Sequence, residues 1–328
     1  MPGRVNILSV VNAKSWSWGI ITALLLPRLS EQYHCANVLR IPKIRLDMEQ
    51  DGIEVIVKLP AQTLDPGLAE FFDVILLQNV DLINLLPKDK RAKAVVRMGG
   101  LVVTDNYPAT RYDEELASVG AVIGTNQTLA DVVLRVNPNT TMIPNGVDLE
   151  RFCPARERLQ RKFTVGFAGM IWGPGLEYKG YKQFIQAALM LHGDVEIKTR
   201  IHSHSQIPHT DMPEKFYHQI DCLVLPSEGE GCSNVTAEAL ACGVPVLTTK
   251  VGYHGELLTD GEDCLFITRE VENIKDTILQ LMNNPELQLR LARNGRVFAE
   301  RHHDINVIAK QYDEVFQNIL RSSNHDGK

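Results

Sequence analysis

The chain has 328 residues, of which 44% are hydrophobic and 23% are charged, as is typical of a soluble globular protein with two domains. Its net charge is −6 and neither half is basic, which argues against a platform for non-specific nucleic-acid binding. No run of eighteen apolar residues is present, so the sequence predicts no transmembrane helix.

The first half alternates short apolar runs with helical patterns. The first run, 5–11, is too short for a secretory signal and predicts a buried strand. A helix with an internal proline is predicted next, at 19–33, and another follows later at 127–136. Further strands are predicted at 54–59, 73–78, 94–98 and 121–125. Strands separated by helices indicate parallel βαβ units.

The alternation stops at a joint rich in proline and glycine, 142–154, and then restarts. Strands are predicted at 163–169, 195–203, 222–226, 244–249 and 264–267, with helices at 181–192 and from about 233 to 241. The tail, 271–322, is helical in pattern. The sequence therefore predicts α/β architecture, with two Rossmann-like doubly wound domains that face each other across a cleft.

The six cysteines are scattered and form no CxxC pair, which predicts buried thiols in a reducing compartment and hence a cytoplasmic protein. Peripheral attachment to a membrane through the apolar segment 15–29 is the alternative. That segment lacks the basic face of a membrane-surface helix, so burial against a sheet is the favoured interpretation.

The most informative stretch is "LPSEGEGCSNVTAEALACGVPVLTT", residues 225–249. It predicts a buried strand, a glycine-rich loop, a helix capped near Ser233 and a second strand, with the loop at the sheet edge where α/β folds bind ligands. Backbone N–H groups of Cys232, Ser233 and Asn234 suit an anion. Two flanking carboxylates, Glu230 and Glu238, suit sugar hydroxyls. Together they indicate a nucleotide-sugar site.

This stretch resembles the donor-site signature of glycosyltransferase family 4, retaining enzymes of the GT-B fold. Three other segments are similar to that family in the same order: "IPNGVDLERFCP" (143–154), "VGFAGMIWGPGLEYKGYKQFIQAALML" (165–191) and "VGYHGELLTDGEDCLFI" (251–267). The match is specific for the second half, whereas the first half is similar only in strand order.

The resemblance implies that Glu230 contacts the donor sugar, that Glu238 contacts the nucleotide ribose, and that the loop from Gly231 to Asn234 holds the diphosphate. It also implies an N-terminal acceptor-binding domain (1–150), a nucleotide-sugar-binding domain (151–303) and a final helix (304–328) that packs back on the first domain. The donor would be a UDP- or GDP-sugar. No further cofactor is implied, and the chain has no Asp-x-Asp motif that would call for a metal.

Lys179 is the next candidate, because a cation at the amino end of a helix opposes the helix dipole unless an anion is near. The resemblance implies that Lys179 binds a phosphate of the donor. It also implies that Gly169, before the loop that leads to Lys179, is a donor contact. The family usually has an arginine after that glycine, and this chain has Met170 instead. Arg200, on the next predicted strand, is the alternative cation.

In the first half, the loop and helix start at 12–20 contain Gly19, which permits close approach to a ligand. Trp16 and Trp18 suit stacking on a sugar ring, or equally ordinary core packing. The family often has a histidine after an N-domain strand, and here Arg97 is the nearest polar residue. Arg97 is thus a candidate for an acceptor or phosphate contact.

"RIHSHSQIPH" contains His202, His204 and His209. Two histidines spaced by one residue on a strand can share a metal, but no carboxylate accompanies them at ligand spacing. The favoured interpretation is a strand end and loop beside the nucleobase, with no metal.

The predicted activity is metal-independent, retaining transfer of a hexose-type sugar from a nucleotide-sugar to an acceptor hydroxyl. A nucleotide-sugar epimerase of the same fold, with Glu230 or His254 as acid or base, and an inactive nucleotide-sugar-binding subunit are the alternatives. The acceptor stays open between a glycan, a lipid-linked sugar, a protein and a nucleobase. The oligomeric state is also open.

Overall fold

A computed structural model describes most of the chain. The described residues are 5–11, 17–29, 33–39, 54–56, 66–99, 112–155, 161–169, 175–201 and 207–325. The chain divides into two compact units: the first comprises Met1–Gly146 and Ile305–Lys328, and the second comprises Val147–Asp304. None of the described helices combines the length and the apolar character that crossing a bilayer requires.

The first unit contains a sheet of seven parallel strands. The strands are β1 (Asn6–Val11), β2 (His34–Leu39), β3 (Glu54–Ile56), β4 (Val74–Leu77), β5 (Ala94–Met98), β6 (Ala121–Gly124) and β7 (Thr140–Met142). Their order in the sheet is β3-β2-β1-β4-β5-β6-β7. The order reverses between β1 and β4, and in doubly wound sheets ligands bind at such a switch point.

Helices cover both faces of this sheet. They are α1 (Ser17–Leu29), α2 (Pro66–Phe71), α3 (Asp113–Ser118), α4 (Gln127–Leu134) and the last helix of the chain, α12 (Ile305–His325), with 3-10 turns at Val80–Leu85 and Lys88–Lys93. One core joins the sheet residues Ile7 and Leu76 to Leu25 of α1 and to Tyr312 and Phe316 of α12. The opposite face has a second core. Burial on both faces explains why these strands are almost continuously apolar.

The second unit contains five parallel strands. They are β8 (Thr164–Gly169), β9 (Glu196–Ile201), β10 (Cys222–Leu225), β11 (Val246–Thr248) and β12 (Leu265–Phe266). Their order is β12-β11-β10-β8-β9, so the switch point lies between β8 and β10. The helices are α5 (Gly175–Tyr178), α6 (Tyr181–Met190), α7 (Met212–Lys215), α8 (Asn234–Ala241), α9 (Gly252–Leu257), α10 (Val271–Met282) and α11 (Pro285–His302).

The two sheets confirm the prediction of two doubly wound α/β domains, and α12 packs back into the first unit as predicted. Two strands, β2 and β7, were not predicted from the sequence. The separate final helix predicted from 304 is present as α12, whereas the preceding helical stretch contains two helices, α10 and α11, with a break at Asn283–Asn284 that was not predicted. The predicted buried thiols are largely confirmed: five of the six cysteines are buried, and none of these six described residues forms a disulfide.

Candidate functional site

The candidate site of the second unit lies at the carboxyl ends of the two strands that flank the switch point. The segment that follows β8 leads through α5 to Lys179, and the segment that follows β10, residues 226–233, is here called the acidic loop. The backbone N–H of Glu228 donates to the carbonyl oxygen of Tyr178 at 2.8 Å, which ties the two segments together. They are separated in sequence, and only the order of the strands makes them neighbours.

Lys179 and Glu230 form an ion pair in this place. The Nζ atom of Lys179 lies 2.5 Å from Oε1 of Glu230, and the side chains are 24% and 11% exposed. The Ser227 hydroxyl donates to the same carboxylate oxygen at 2.7 Å. The carboxylate of Glu230 thus supplies the negative charge that was expected from a phosphate. It explains why a cation lies just before the amino end of α6.

Gly180 makes this close approach of the two segments possible. It is the N-cap of α6 and has a φ of 69°, in the left-handed region that favours glycine. A Cβ atom at this position would lie 2.2 Å from the carbonyl oxygen of Pro226, at the start of the acidic loop. A glycine is therefore required both by the backbone conformation and by the contact.

Helix α8 begins directly after the acidic loop. The Ser233 hydroxyl caps it by accepting a hydrogen bond from the backbone N–H of Thr236 at 3.2 Å, as predicted for that serine. The helix consists mostly of small and apolar residues, and six of its eight residues are buried. Such a helix packs closely on its sheet, and its amino end points toward the acidic loop.

Glu238 projects from α8 and is 5% exposed. Its two carboxylate oxygens have separate partners: the Tyr217 hydroxyl donates to Oε2 at 2.7 Å, and Nε2 of His209 lies 2.8 Å from Oε1. Each oxygen retains a second acceptor site. Burial and the nearby Glu238 charge raise the pKa of Tyr217 well above its usual value, so its hydroxyl remains a donor.

Burial, followed by the charge of Glu230, raises the pKa of Tyr178 to about 12. Tyr178 lies at the end of α5, and a Cβ on Gly229 would lie 2.3 Å from its hydroxyl oxygen. The acidic loop is thus bordered by a neutral phenol on the side of α5 and by the Lys179 ammonium next to it.

The other predicted donor contacts lie around this loop. Gly231 and Cys232 are in the acidic loop, Asn234 is the first residue of α8, and Gly169 ends β8. Arg200 of β9 pairs in register with Ala168, near the end of β8, so it lies at the same edge of the sheet. The Nε atom of Arg200 has no hydrogen-bond partner among the described residues.

Several predicted residues lie elsewhere or outside the description. Trp18 and Gly19 are in the first turn of α1, in the first unit. Trp16, Met170, His202 and His204 lie outside the described residues. The loop after β1, residues 12–16, also lies outside the described residues.

A second cluster of polar residues lies at the carboxyl ends of four adjacent strands in the first unit. Ser9, Gln78, Arg97 and Thr125 are at most 1% exposed, and the strand register places them on one face of the sheet. We call this set the polar edge. Side-chain atoms of all four, among them Nε and Nη1 of Arg97, have no hydrogen-bond partner within the described part of the chain.

Arg97 is the only charged member of the polar edge. Its Nη2 donates to Oδ1 of Asn145, and no described carboxylate forms an ion pair with it. A buried guanidinium without an anion is costly, so its remaining donors require a partner that the described residues do not supply. The sequence analysis selected Arg97 but missed Ser9, Gln78 and Thr125. The sequence signal for these three residues was a single polar residue near the end of each apolar strand.

Sequence comparison supplies a family match. Residues 171–298 match the family model of Glycosyl transferases group 1. An uncharacterized glycosyltransferase of Methanocaldococcus jannaschii is 32% identical over 155 residues, which cover 46% of this chain and 42% of the relative. A capsular polysaccharide biosynthesis glycosyltransferase of Staphylococcus aureus is 25% identical over 210 residues, or 55% and 54% of the two chains. The chain thus spans about half the length of these curated relatives.

Structure comparison covers nearly the whole chain. Sucrose-phosphate synthase from Thermosynechococcus elongatus superposes with a TM-score of 0.78 at 16% identity, over 97% of this chain and 100% of that one. Anabaena HepE, in complex with UDP and glucose, superposes with a TM-score of 0.73 at 15% identity, over 95% and 99%. Identities this low establish the fold alone. Residues 171–298 thus match the family model of Glycosyl transferases group 1, within a chain that has the GT-B fold.

Proposed function

We propose that this protein is a retaining glycosyltransferase of family 4, which transfers a sugar from a nucleoside-diphosphate sugar to an acceptor hydroxyl. One observation supports it above all others. Lys179 and Glu230 meet at the switch point of the sheet that contains the Glycosyl transferases group 1 match. A cation for phosphate and a carboxylate for sugar hydroxyls are then adjacent, as a nucleotide-sugar requires.

In the proposed reaction, the bond between the sugar and the diphosphate breaks and negative charge develops on the leaving diphosphate. Lys179 and the amino end of α8 would stabilise that charge, because helix amino ends present backbone N–H groups that lack an intrahelical acceptor. Glu230 would release Lys179 and accept hydrogen bonds from the donor sugar, which orients the sugar toward the acceptor.

Glu238 is proposed to bind the ribose. Its carboxylate is held by Tyr217 and His209, so its orientation is fixed before a ligand arrives. A fixed acceptor loses little conformational freedom when it binds two vicinal hydroxyl groups, and this favours tight nucleotide binding. His209 would then lie beside the nucleotide, as the sequence analysis suggested for its segment.

The acceptor is proposed to bind the first unit through the polar edge. Its buried donors and acceptors, with Arg97 at the centre, suit a polar or anionic group of an acceptor molecule. Trp16 and Trp18 remain candidates for stacking on an acceptor sugar. The chemical class of the acceptor stays open.

The proposed reaction uses no metal ion for the diphosphate, because Lys179, the α8 amino end and, as an additional cation, Arg200 are available in its place. Retention of the anomeric configuration is proposed from the resemblance of 226–249 to family 4 and from nothing else.

A panel of UDP- and GDP-sugars with a set of glycan and lipid-linked acceptors tests the proposal. We expect free nucleoside diphosphate to form together with a glycosylated acceptor, and nuclear magnetic resonance of the product gives its anomeric configuration. Lys179→Ala should lower turnover by roughly 100-fold to 1,000-fold, the usual loss for a group that stabilises developing charge.

Glu228→Gln is the matched control, because Glu228 lies in the same loop but pairs at the surface with Arg269. We expect its turnover to stay within about twofold, as for a surface ion pair. An epimerised donor without transfer would contradict the proposal in favour of an epimerase. Nucleotide binding without turnover of any pair would favour a binding subunit.

A further inference from the structure

Three side chains that can ligate a metal meet next to the acidic loop. Cys232 is in the loop itself, His254 is in α9 and His303 follows α11, so three separate segments of the second unit contribute. All three are buried, with exposures of 8%, 3% and 0%. One ligand atom from each residue lies within 4.8 Å of the ligand atoms of the other two.

The spacing of these atoms matches a tetrahedral metal site. The two Nε2 atoms of His254 and His303 lie 3.1 Å apart. Two imidazole nitrogens that each lie about 2.0 Å from one zinc ion are about 3.3 Å apart at a tetrahedral angle, and a thiolate sulfur lies at about 2.3 Å from the metal. The two imidazoles therefore need to move by only a few tenths of an ångström to share an ion. The Cys232 sulfur lies within 4.8 Å of a ring nitrogen of each histidine and would close to about 3.5 Å from each, the separation that follows from these bond lengths.

The type of ligand selects the class of metal. One thiolate with two imidazoles is a soft to borderline set, which suits zinc and disfavours magnesium or calcium. We propose that Cys232, His254 and His303 bind one zinc-class divalent ion, with a water molecule as the fourth ligand. Binding would release the thiol proton of Cys232 to solvent and leave a thiolate on the metal.

Such an ion would fix the acidic loop to two other elements. The backbone N–H of Tyr253, next to His254, donates to the carbonyl oxygen of Gly231 at 2.7 Å. The carbonyl oxygen of His303 accepts a hydrogen bond from Val147 at 2.6 Å. The metal would add a third link at Cys232 and hold in place the loop that contains Glu230. Its proposed role is structural, separate from the diphosphate, and it does not depend on the proposed sugar transfer.

The test uses the full chain, stripped with a chelator and titrated with Co²⁺ and then Zn²⁺. We expect about one ion per chain, a near-ultraviolet band from thiolate-to-cobalt charge transfer, and loss of that band when zinc displaces cobalt. Zinc should also raise the Tm by several degrees, because it binds the folded chain preferentially.

Cys232→Ser should remove the charge-transfer band and weaken zinc binding by at least about 100-fold, since the loss of a group that only hydrogen-bonds a metal ligand already costs about 10-fold to 100-fold. Cys153→Ser is the control, because it removes a half-buried thiol outside the cluster and should leave the band unchanged. His303→Gln is a second variant in case Cys232→Ser does not fold, which circular dichroism reports.

Three outcomes would overturn the inference: no cobalt or zinc binding by the folded wild-type chain, binding without a thiolate band, or a band that persists in Cys232→Ser. The first outcome would leave the two histidines as a hydrogen-bonded pair without a metal.

Discussion

The acidic loop and the polar edge occupy the same position in two similar sheets, at the carboxyl ends of strands around a switch point. They differ in whether their charged side chains have partners. In the acidic loop, Lys179 and Glu230 satisfy each other. In the polar edge, Arg97 has no described carboxylate partner and two of its nitrogens have no described hydrogen-bond partner.

This difference bears on how each region would bind a ligand. A ligand at the acidic loop has to separate an existing ion pair, so part of its binding free energy is spent on that exchange. A ligand at the polar edge would accept hydrogen bonds from donors that are already removed from water. These donors lose little hydration when the ligand binds. We therefore expect the free energy of unfolding to depend strongly on the acidic loop and weakly on Arg97, and four experiments test this contrast.

The largest effect is expected from Gly180→Ala, which would separate the two segments of the acidic-loop region. The left-handed backbone costs roughly 1–2 kcal/mol and the clash with Pro226 a further 1–3 kcal/mol or so. Urea unfolding should show this loss, and calorimetry should show loss of UDP binding. Gly261→Ala is the control, with a φ of 75° but nothing within 4 Å of its Cβ. Equal losses in the two variants would contradict a role for the contact.

A pair of arginine substitutions compares a paired and an unpaired guanidinium. Arg161 forms an ion pair with the buried Asp221, so Arg161→Met should cost about 3 kcal/mol because it leaves that carboxylate uncompensated. Arg97→Met removes a buried charge that has no described counter-ion, so the free energy of unfolding should stay the same or rise. Urea unfolding measures both. If Arg97→Met destabilises as much as Arg161→Met, the polar edge is a structural network.

Glu238→Gln should weaken UDP binding by about tenfold, the usual cost of losing a hydrogen bond to a charged acceptor. The fold should change little, since an amide oxygen can still accept from Tyr217. Calorimetry with UDP measures the affinity. The control is Glu300→Gln, an exposed carboxylate paired with Arg296 on α11. Unchanged affinity in Glu238→Gln would remove Glu238 from the proposed nucleotide site.

The smallest effect is expected from a change at Glu230, and it tests a single ion pair. Glu230→Gln releases Lys179 from its ion pair, so UDP, which has no sugar to contact Glu230, should bind about two- to fivefold more tightly. Sugar transfer should nevertheless fall, because Glu230 would no longer orient the donor sugar. Calorimetry and turnover together separate the two roles. Weaker UDP binding would mean that Glu230 does not compete with phosphate for Lys179.

Much of the fold could be predicted from local pattern. Strands such as 94–98 and 222–226 are short apolar runs between helical patterns, and they were placed within a residue or two. β2, "HCANVL", and β7, "TTM", were missed because their own residues give little strand signal. Their neighbours in the sheet determine that they are strands, since the ladder satisfies their backbone groups.

The candidate site also contains parts that could be predicted from local sequence and parts that could not. The acidic loop and the Ser233 cap are contiguous in sequence, so their local geometry could be predicted. The partners of Glu238 could not, because His209 and Tyr217 lie 29 and 21 residues away and their contact with Glu238 depends on where β9 and β10 place them. The cluster of Cys232, His254 and His303 could not be predicted either, because these residues lie in separate segments with helices between them.

By itself, the sequence determined that the chain forms alternating strands and helices and that one glycine-rich acidic loop opens a helix, because periodicity and capping are local properties. Only the tertiary structure decided which side chains meet. Strand order in a parallel sheet is set by crossover packing between distant segments, and it places Lys179 against Glu230 and the four polar residues of the first unit at one sheet edge.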